Sequence, residues 1–242
     1  MKASTGFTVS TLAAAVIGFA AVPPAHAIPS IANGGFESGF AGWSRVDQLG
    51  SEGTFALQSG TSSPVNGDPV PAPPGGTNAA MTDAQGPGSH VLFQDFVVTP
   101  GNATLSFALF IGNRANAFFT PNTLAFDTPT LNQQARVDIM TSGSNPFSVA
   151  AADVLLNLFQ TSLGDPLISG YTTHTTNVSA LFAAHVGETL RLRFAEVDNV
   201  FTFQLGVDNV SIAEPVPEPA STLLFGAALA ALLGIRSRRA RA

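Results

Sequence analysis

The stretch Ala103-Thr104-Leu105-Ser106-Phe107-Ala108-Leu109-Phe110-Ile111 decides the fold. Its odd positions are all apolar, which is the period-two pattern of a strand with one face against a core. Residues 189–194 alternate in the same way, with Leu190, Leu192 and Phe194 facing inward and Arg191 and Arg193 on the wet face. The pattern of residues 201–207 places Phe201, Phe203, Leu205 and Val207 inward.

Shorter stretches between turn signals extend this β pattern along the chain. Gly, Pro, Asn, Ser and Thr are frequent and Lys and Glu are scarce, which favours strands and turns. We predict further strands at residues 31–36, 43–47, 54–58, 90–98, 135–141 and 169–178. Residues 62–76 and 113–134 are predicted to be long loops, and residues 150–159 a short helix. The sequence therefore predicts an all-β fold, an antiparallel β-sandwich or jelly roll.

The charge and cysteine content restrict the function of the folded part, residues 28–213. This range holds 5 arginines and 14 acidic residues, a formal charge of −9, and no lysine. Nucleic acid and anionic lipid would repel such a domain, so we exclude both as its partners. The chain has no cysteine, which excludes disulfides and thiolate sites.

Both ends carry apolar segments with the features of targeting signals. Residues 1–27 are predicted to be a cleavable signal helix, because Lys2 precedes an apolar run that ends in Ala25-His26-Ala27. At the other end, a linker at residues 214–221 precedes an apolar run at residues 222–235. That run predicts a transmembrane helix of about 21 Å. The basic tail at residues 236–242 favours the membrane over a buried helix, since arginines collect on the cytoplasmic side.

The order of these C-terminal parts resembles the PEP-CTERM sorting signal of exported bacterial proteins. The matching residues are Pro217-Glu218-Pro219, the apolar run, and Arg236, Arg238, Arg239 and Arg241. The resemblance implies processing by an exosortase, with Pro217, Glu218 and Pro219 as the sorting motif. It also implies an inner-membrane intermediate, held by the C-terminal helix, before the protein reaches the cell surface or extracellular matrix. A plain C-terminal anchor is the alternative.

The first and last strands of residues 31–213 resemble those of galactose-binding-like jelly rolls, the fold of many carbohydrate-binding modules. The similar stretches are residues 33–38, Asn-Gly-Gly-Phe-Glu-Ser, and residues 206–212, Gly-Val-Asp-Asn-Val-Ser-Ile. The resemblance implies a structural Ca²⁺ with Glu37 and Asp208 as ligands. Asp208 also shares the parity of Val210 and should point inward, where a carboxylate needs a partner. Alternatively, Asp208 accepts backbone N–H groups and Glu37 is exposed.

The remaining candidate residues give weak signals for catalysis or sugar binding. We expect Trp43 in the core and Phe118 and Phe119 as an anchor for their loop. We expect His174 on a solvent-facing strand. We also expect Glu196 and Asp198, which follow the Arg191/Arg193 strand, to form a cross-strand ion pair with one of those arginines. The sequence therefore favours a non-enzymatic, glycan-associated surface protein that contacts exopolysaccharide. A lectin resembling a carbohydrate-binding module is the alternative, and a glycan-active hydrolase is less favoured.

Overall fold

The alternating stretch at residues 103–111 forms an inner strand of a β-sandwich. The computed structural model describes residues 29–214. The strands are β1 (Ser44–Asp47), β2 (Thr54–Ser59), β3 (Asn78–Asp83), β4 (Gly88–Val97), β5 (Thr104–Asn113), β6 (Gln133–Thr141), β7 (Val154–Gln160), β8 (Thr172–Asn177), β9 (Thr189–Asp198) and β10 (Phe203–Ala213). Helix α1 (Ser179–Ala184) lies between β8 and β9.

The strands form two five-stranded sheets in which neighbouring strands are antiparallel. The strand order is β1-β4-β9-β6-β7 in the first sheet and β2-β3-β10-β5-β8 in the second. The central strands β9 and β10 follow each other in the chain but lie in opposite sheets, so the turn at residues 199–202 closes one end of the sandwich. The predicted all-β, antiparallel sandwich is confirmed.

The core lies between the sheets and is built from the inward positions of the alternating strands. Phe107 of β5 meets Phe194 of β9 edge to face, with 5.5 Å between the ring centroids. Trp43 packs on the same Phe194 ring and donates its indole N–H to the carbonyl of Asn33 at 3.1 Å. Each such aromatic side chain contributes about 1.5–3 kcal/mol when it is removed from water.

Loops cover the outer faces of both sheets, which the sequence pattern did not predict. Val70, from the loop after β2, packs on Met81 and Phe110 of the second sheet. The long loop between β5 and β6 brings Leu124 onto the outer face of the first sheet, where Phe126 also packs. The outward positions of the central strands are therefore buried rather than wet.

Arg191 and Arg193 of β9 show the consequence of this cover. Both side chains were expected on a solvated face, but Arg193 has no exposed surface and Arg191 is 7% exposed. Arg193 donates through Nε and Nη2 to Oδ2 of Asp138, and through Nη1 to the carbonyls of Pro146 and Ser148. The expectation of a solvated face was wrong, because alternation shows which side chains share a face of the strand but not whether a loop covers that face.

Three local predictions are also wrong. Residues 150–159 were predicted to be helical, but β7 pairs with β6 in this region, because the apolar run packs on the core as an edge strand. Residues 31–36 form turns, with positive φ at Asn33 and Phe36. Phe201 lies in the turn before β10 and is 62% exposed, so it is not an inward residue.

No helix within residues 29–214 is long and apolar enough to cross a membrane. The predicted signal helix at residues 1–27 and the predicted transmembrane helix at residues 222–235 lie outside the described residues. Both remain predictions.

Candidate functional site

Glu37 and Asp208 lie at one junction, where the chain's first turns meet β10. Both carboxylates accept hydrogen bonds from a single segment, residues 75–78. Oε1 of Glu37 accepts the backbone N–H groups of Thr77 at 2.8 Å and Asn78 at 2.9 Å. Oδ2 of Asp208 accepts the N–H of Gly75 at 3.0 Å. The two carboxylates that were predicted as ligands therefore lie at the same loop in the fold.

A β-bulge in β10 determines where Asp208 points. The pairing of β10 with β5 shifts register between Asp208 and Ser211, and Asn209 has a φ of 51°. Val207 and Val210 both reach the core across this bulge. Asp208 is fully buried, but it lies on the outer face of the second sheet, beneath the loop that contains Gly75. The expectation that it points into the core was wrong, because the bulge reverses the parity.

The electrostatics of this junction leave it negatively charged. The N–H groups of Asn78 and Thr77 hold the pKa of Glu37 below its ordinary value. Burial raises the pKa of Asp208 to about 6, and the Glu37 charge adds to this rise. Neither carboxylate forms an ion pair within residues 29–214.

These two carboxylates fit the hard oxygen ligands that Ca²⁺ requires. Oε2 of Glu37 accepts no hydrogen bond from the described residues and each oxygen of Asp208 accepts one, so these three oxygens keep lone pairs for an ion. No group of three or more acidic, His or Cys side chains in the described part of the chain could hold a metal ion. A calcium ion here would therefore depend on these two carboxylates together with neighbouring backbone or amide oxygens.

A second candidate site lies at the end of the sandwich closed by the β9–β10 turn. A cavity of about 270 Å³ opens between the turn that carries Phe201 and the β3–β4 loop, and its lining includes Gln85, Gly86, Asp198 and Asn199. A neighbouring cavity shares Phe201 and Gln85 and adds Asn66, Asp68 and Arg114. The two cavities together form the Phe201 pocket, an exposed aromatic ring surrounded by polar side chains.

Buried hydrogen-bond acceptors lie behind this pocket. Asp198 is 5% exposed and accepts the N–H of Gly88 at 2.8 Å. Glu196 precedes it on the same face of β9 and is paired with His90 across the sheet. Within residues 29–214, Oε1 of Glu196 and Nε2 of His90 have no hydrogen-bond partner, although both atoms are buried.

Burial controls the ionisation of this cluster. It raises the pKa of Asp198 to about 7, against the lowering effects of the Gly88 N–H and of His90. Burial also raises the pKa of Glu196 well above its ordinary value, and the neighbouring charge of Asp198 adds to the rise. Burial therefore favours the protonated form of Glu196, and Asp198 exchanges its proton around neutral pH.

The predicted ion pairs of Glu196 and Asp198 with the arginines of β9 are wrong. Arg191 instead holds Asp95 of β4, with its Nε 2.7 Å from Oδ1. Arg193 holds Asp138 of β6. Within a strand, residues an odd number of positions apart face opposite sides, so the acids of β9 cannot meet its arginines.

The other aromatic and histidine candidates serve the fold. Trp43 and Phe118 are buried in the main core, as expected. Tyr171 donates its hydroxyl to Gln58 at 2.8 Å. His174 lies on the mostly exposed edge strand β8, as expected, but its half-buried ring stacks on Phe107 at 5.4 Å, and burial lowers its pKa.

Sequence reasoning missed Phe201 as an exposed aromatic residue. A signal was available: Asp198-Asn199 interrupts the apolar alternation and favours a turn directly before Phe201. The cavity around it depends on loops far apart in sequence, and no local pattern indicates that they meet.

Comparison with known proteins assigns the C-terminal region. The family model of the PEP-CTERM protein-sorting motif matches residues 215–239. No curated protein matches the chain. Residues 215–239 thus form a PEP-CTERM sorting signal, which implies export, exosortase processing and transfer to the cell surface.

Several solved β-sandwich structures are similar to the chain. TmCBM61 in complex with β-1,4-galactotriose shares 11% identity at a TM-score of 0.44, over 76% of this chain and 97% of that chain. The K3 cleaved adhesin domain of Lys-gingipain from Porphyromonas gingivalis W83 shares 15% sequence identity at a TM-score of 0.46, over 79% of this chain and 99% of that chain. An apo form cyclase from Fischerella sp. shares 18% sequence identity at a TM-score of 0.44, over 77% of this chain and 95% of that chain. These three similarities do not bear on activity.

Proposed function

We propose that the protein is a non-enzymatic component of the cell surface or extracellular matrix that holds carbohydrate in the Phe201 pocket. The observation that supports this is the Phe201 ring itself, which is 62% exposed beside two cavities lined by amide, carboxylate and hydroxyl groups. An aromatic face packs against the C–H groups of a sugar ring, and surrounding polar groups bond its hydroxyls.

The polar groups of the pocket come from four separate loops, which suits a ligand with hydroxyls on several sides. The loop after β2 supplies Asn66 and Asp68, the β3–β4 loop supplies Gln85, and the β5–β6 loop supplies Arg114. The β9–β10 turn supplies Asn199 and Thr202 beside the ring. Asn199 is held in place, since its Nδ2 donates to the carbonyl of Phe126 at 2.9 Å.

Retention of the purified protein on immobilised polysaccharides tests this proposal. Phe201→Ala is expected to weaken retention at least about tenfold, because an aromatic anchor typically contributes more than 1 kcal/mol. Leu163→Ala is the matched control, since Leu163 is also an exposed apolar residue of a loop. Equal retention of both variants, or retention of the wild type on no polysaccharide, would contradict the proposal. Release of shortened sugars would contradict its non-enzymatic part.

The proposed route to the surface passes through a membrane intermediate that exosortase resolves. Pro217, Glu218 and Pro219 lie in the matched motif and are the proposed recognition element. In a host with an exosortase, Glu218→Ala should accumulate an unprocessed, membrane-associated form with a larger intact mass. Normal processing of that variant would exclude this role for Glu218.

A structural Ca²⁺ held by Glu37 and Asp208 is the proposed ion of this domain. Two adjacent carboxylates without an ion-pair partner in the described residues support it. Adding Ca²⁺ should raise the unfolding temperature and a chelator should lower it. Asp208→Asn should remove that response, whereas Asp127→Asn, at an exposed loop position, should keep it. A wild type that is insensitive to chelator would end the proposal.

A further inference from the structure

Four strands of the described domain lie at the edges of the two sheets, and three of these edges are protected. β1 is only four residues long and carries Arg45 and Asp47. Arg45 also reaches β2, where its Nη1 donates to the carbonyl of Phe55 at 2.7 Å. The pairing of β7 with β6 shifts register at two places, which bends that edge. Short length, charged residues, covering contacts and bulges all hinder the pairing of an edge strand with another chain.

The fourth edge, β8, has none of these protections within the described residues. Its sequence, Thr-Thr-His-Thr-Thr-Asn, has no Asp, Glu, Lys, Arg or Pro, and it pairs with β5 without a register shift. Val178, directly after β8, donates its N–H to the carbonyl of Ala103 at 2.9 Å and so faces β5. Because hydrogen bonding alternates along an antiparallel strand, the N–H and C=O groups of Thr173, Thr175 and Asn177 point away from β5. All three residues are exposed, so β8 presents an open row of backbone donors and acceptors.

The charge of the domain favours β8 as the place where a second copy can approach. Residues 28–213 carry a formal charge of −9, so two copies repel each other over most of their surfaces. The segment from Pro166 to Gly187, which contains β8, has no Asp, Glu, Lys or Arg. The β5 residues beside β8 on the outer face, Thr104, Ser106 and Ala108, are also uncharged. Contact along β8 therefore avoids the repulsion that contact elsewhere would bring.

The same side of the sandwich opens onto the core between β7 and β8. A cleft of about 270 Å³ is lined there by Leu109, Ile111 and Phe159, with His174 of β8 at its side. The acidic residue in its lining, Asp165, turns its carboxylate to its own loop, where Oδ2 accepts a backbone N–H at 2.7 Å. A strand added to β8 lies beside the mouth of this cleft, so its inward side chains can remove apolar surface from water.

We propose that β8 is an assembly surface, and that two copies of the protein join their second sheets by antiparallel pairing of β8 with β8. Under a two-fold axis, the register centred on Thr175 opposes Thr175 to itself and Thr173 to Asn177, so all three outward residues exchange hydrogen bonds. Threonines that oppose each other across strands form favourable pairs. On the inner face, His174 opposes Thr176. The second copy fits because it supplies the same spacing of donors and acceptors and the same uncharged surface.

Analytical ultracentrifugation of the purified protein over a range of concentrations tests the pairing, with amide hydrogen exchange as a second readout. The wild type should form a dimer, and the N–H groups of Thr173, Thr175 and Asn177 should become protected as the dimer forms. A wild type that is monomeric at every concentration would overturn the proposal. A monomer in which these N–H groups are protected would also overturn it, since a segment of the same chain would then cover β8. Neither result bears on the carbohydrate proposal, which retention on polysaccharides tests separately.

Variants of β8 separate this surface from other modes of association. Thr175→Pro removes an outward N–H from each copy, at an edge position that proline can occupy, and should weaken dimerisation at least about tenfold. Thr175→Glu opposes two like charges and should also weaken dimerisation, which keeps the test valid where the proline variant fails to fold. Ser59→Glu adds the same charge at an exposed residue of the edge strand β2 and should leave the dimer unchanged. A dimer that Thr175→Glu leaves intact, or that Ser59→Glu weakens equally, would show that the copies do not join through β8.

Discussion

Two buried polar clusters of the same sandwich differ in how their charges are balanced. On the outer face of the first sheet, Asp138 lies between Arg136 and Arg193, and every carboxylate oxygen has a donor. At the end of the sandwich, Glu196 and His90 each leave a buried atom unpartnered within the described residues. Every polar atom of the first carboxylate is satisfied, whereas the second cluster leaves buried polar atoms without a hydrogen-bond partner.

This difference indicates separate roles for the two clusters. The charges of the Arg136–Asp138–Arg193 cluster are satisfied within the protein. Two carbonyls of the covering loop, those of Pro146 and Ser148, accept the remaining hydrogen bonds of Arg193. The cluster at Asp198 adjoins a cavity that opens to solvent. A buried polar atom without a hydrogen-bond partner costs free energy, so the second cluster is less favourable for folding than the first.

The largest expected effect is in the complete cluster. Asp138→Ala leaves Arg136 and Arg193 buried without a counter-charge, and it should reduce the free energy of unfolding by about 3–5 kcal/mol. Asp95→Ala is the matched control, since Asp95 pairs with Arg191 but its side chain is 37% exposed. Its cost should be smaller, about 1–3 kcal/mol, because Asp95 is partly solvated although Arg191 is itself buried. Chemical denaturation measures both, and equal costs would remove the distinction between fully and partly buried pairs.

The next effect concerns pH and separates the two clusters directly. Because burial raises the pKa of Asp198 from 3.8 to about 7, its folded form holds a proton that the unfolded chain releases. Stability should therefore fall as the pH rises from about 4 to 7, by roughly 4 kcal/mol at most from this group. Asp138 has a lowered pKa, so its contribution is present at higher pH and is lost as the pH falls below its ordinary value.

Asp198→Asn should make the fall in stability between pH 4 and 7 shallower, measured by thermal unfolding across that range. Some of the fall should remain, because Glu196 and Asp208 also have raised pKa values. An unchanged pH profile in this variant would mean that Asp198 ionises normally in the fold.

The smallest effect is expected for Glu196→Gln. At neutral pH the raised pKa keeps Glu196 protonated, so an amide of similar shape replaces a neutral acid. The free energy of unfolding should change by less than about 1 kcal/mol, against several for Asp138→Ala. A loss above about 2 kcal/mol would show that the carboxylate is ionised and has a partner.

Much of the fold could be predicted from the sequence, because alternation is a local property. The inward residues of β5 and β9 followed directly from it. Strand β3, Asn78–Asp83, was missed because its small residues carry no apolar alternation. The edge strand β7 was predicted to be a helix, because a short apolar run fits both the helical period of 3.6 residues and the strand period of two. Only its pairing with β6 determines that the run is a strand.

The site was harder to predict, because it depends on loops and on an irregular strand. Glu37 and Asp208 were selected through a resemblance, and the fold does place them at one loop. The bulge at Asn209 reversed the direction of Asp208, and no sequence period contains that information. The Phe201 pocket joins residues 66, 85, 114 and 201, whose meeting is a property of the tertiary structure.

A carboxyl-detected NMR titration of the purified protein tests the contrast between the clusters most directly. We expect Asp198 to titrate near pH 7 and Glu196 well above its ordinary value. We expect Asp138 to titrate below its ordinary value of 3.8. If Asp198 and Glu196 titrated near pH 4 like exposed acids, the cluster behind the Phe201 pocket would be solvated, and the contrast with the Asp138 cluster would not exist.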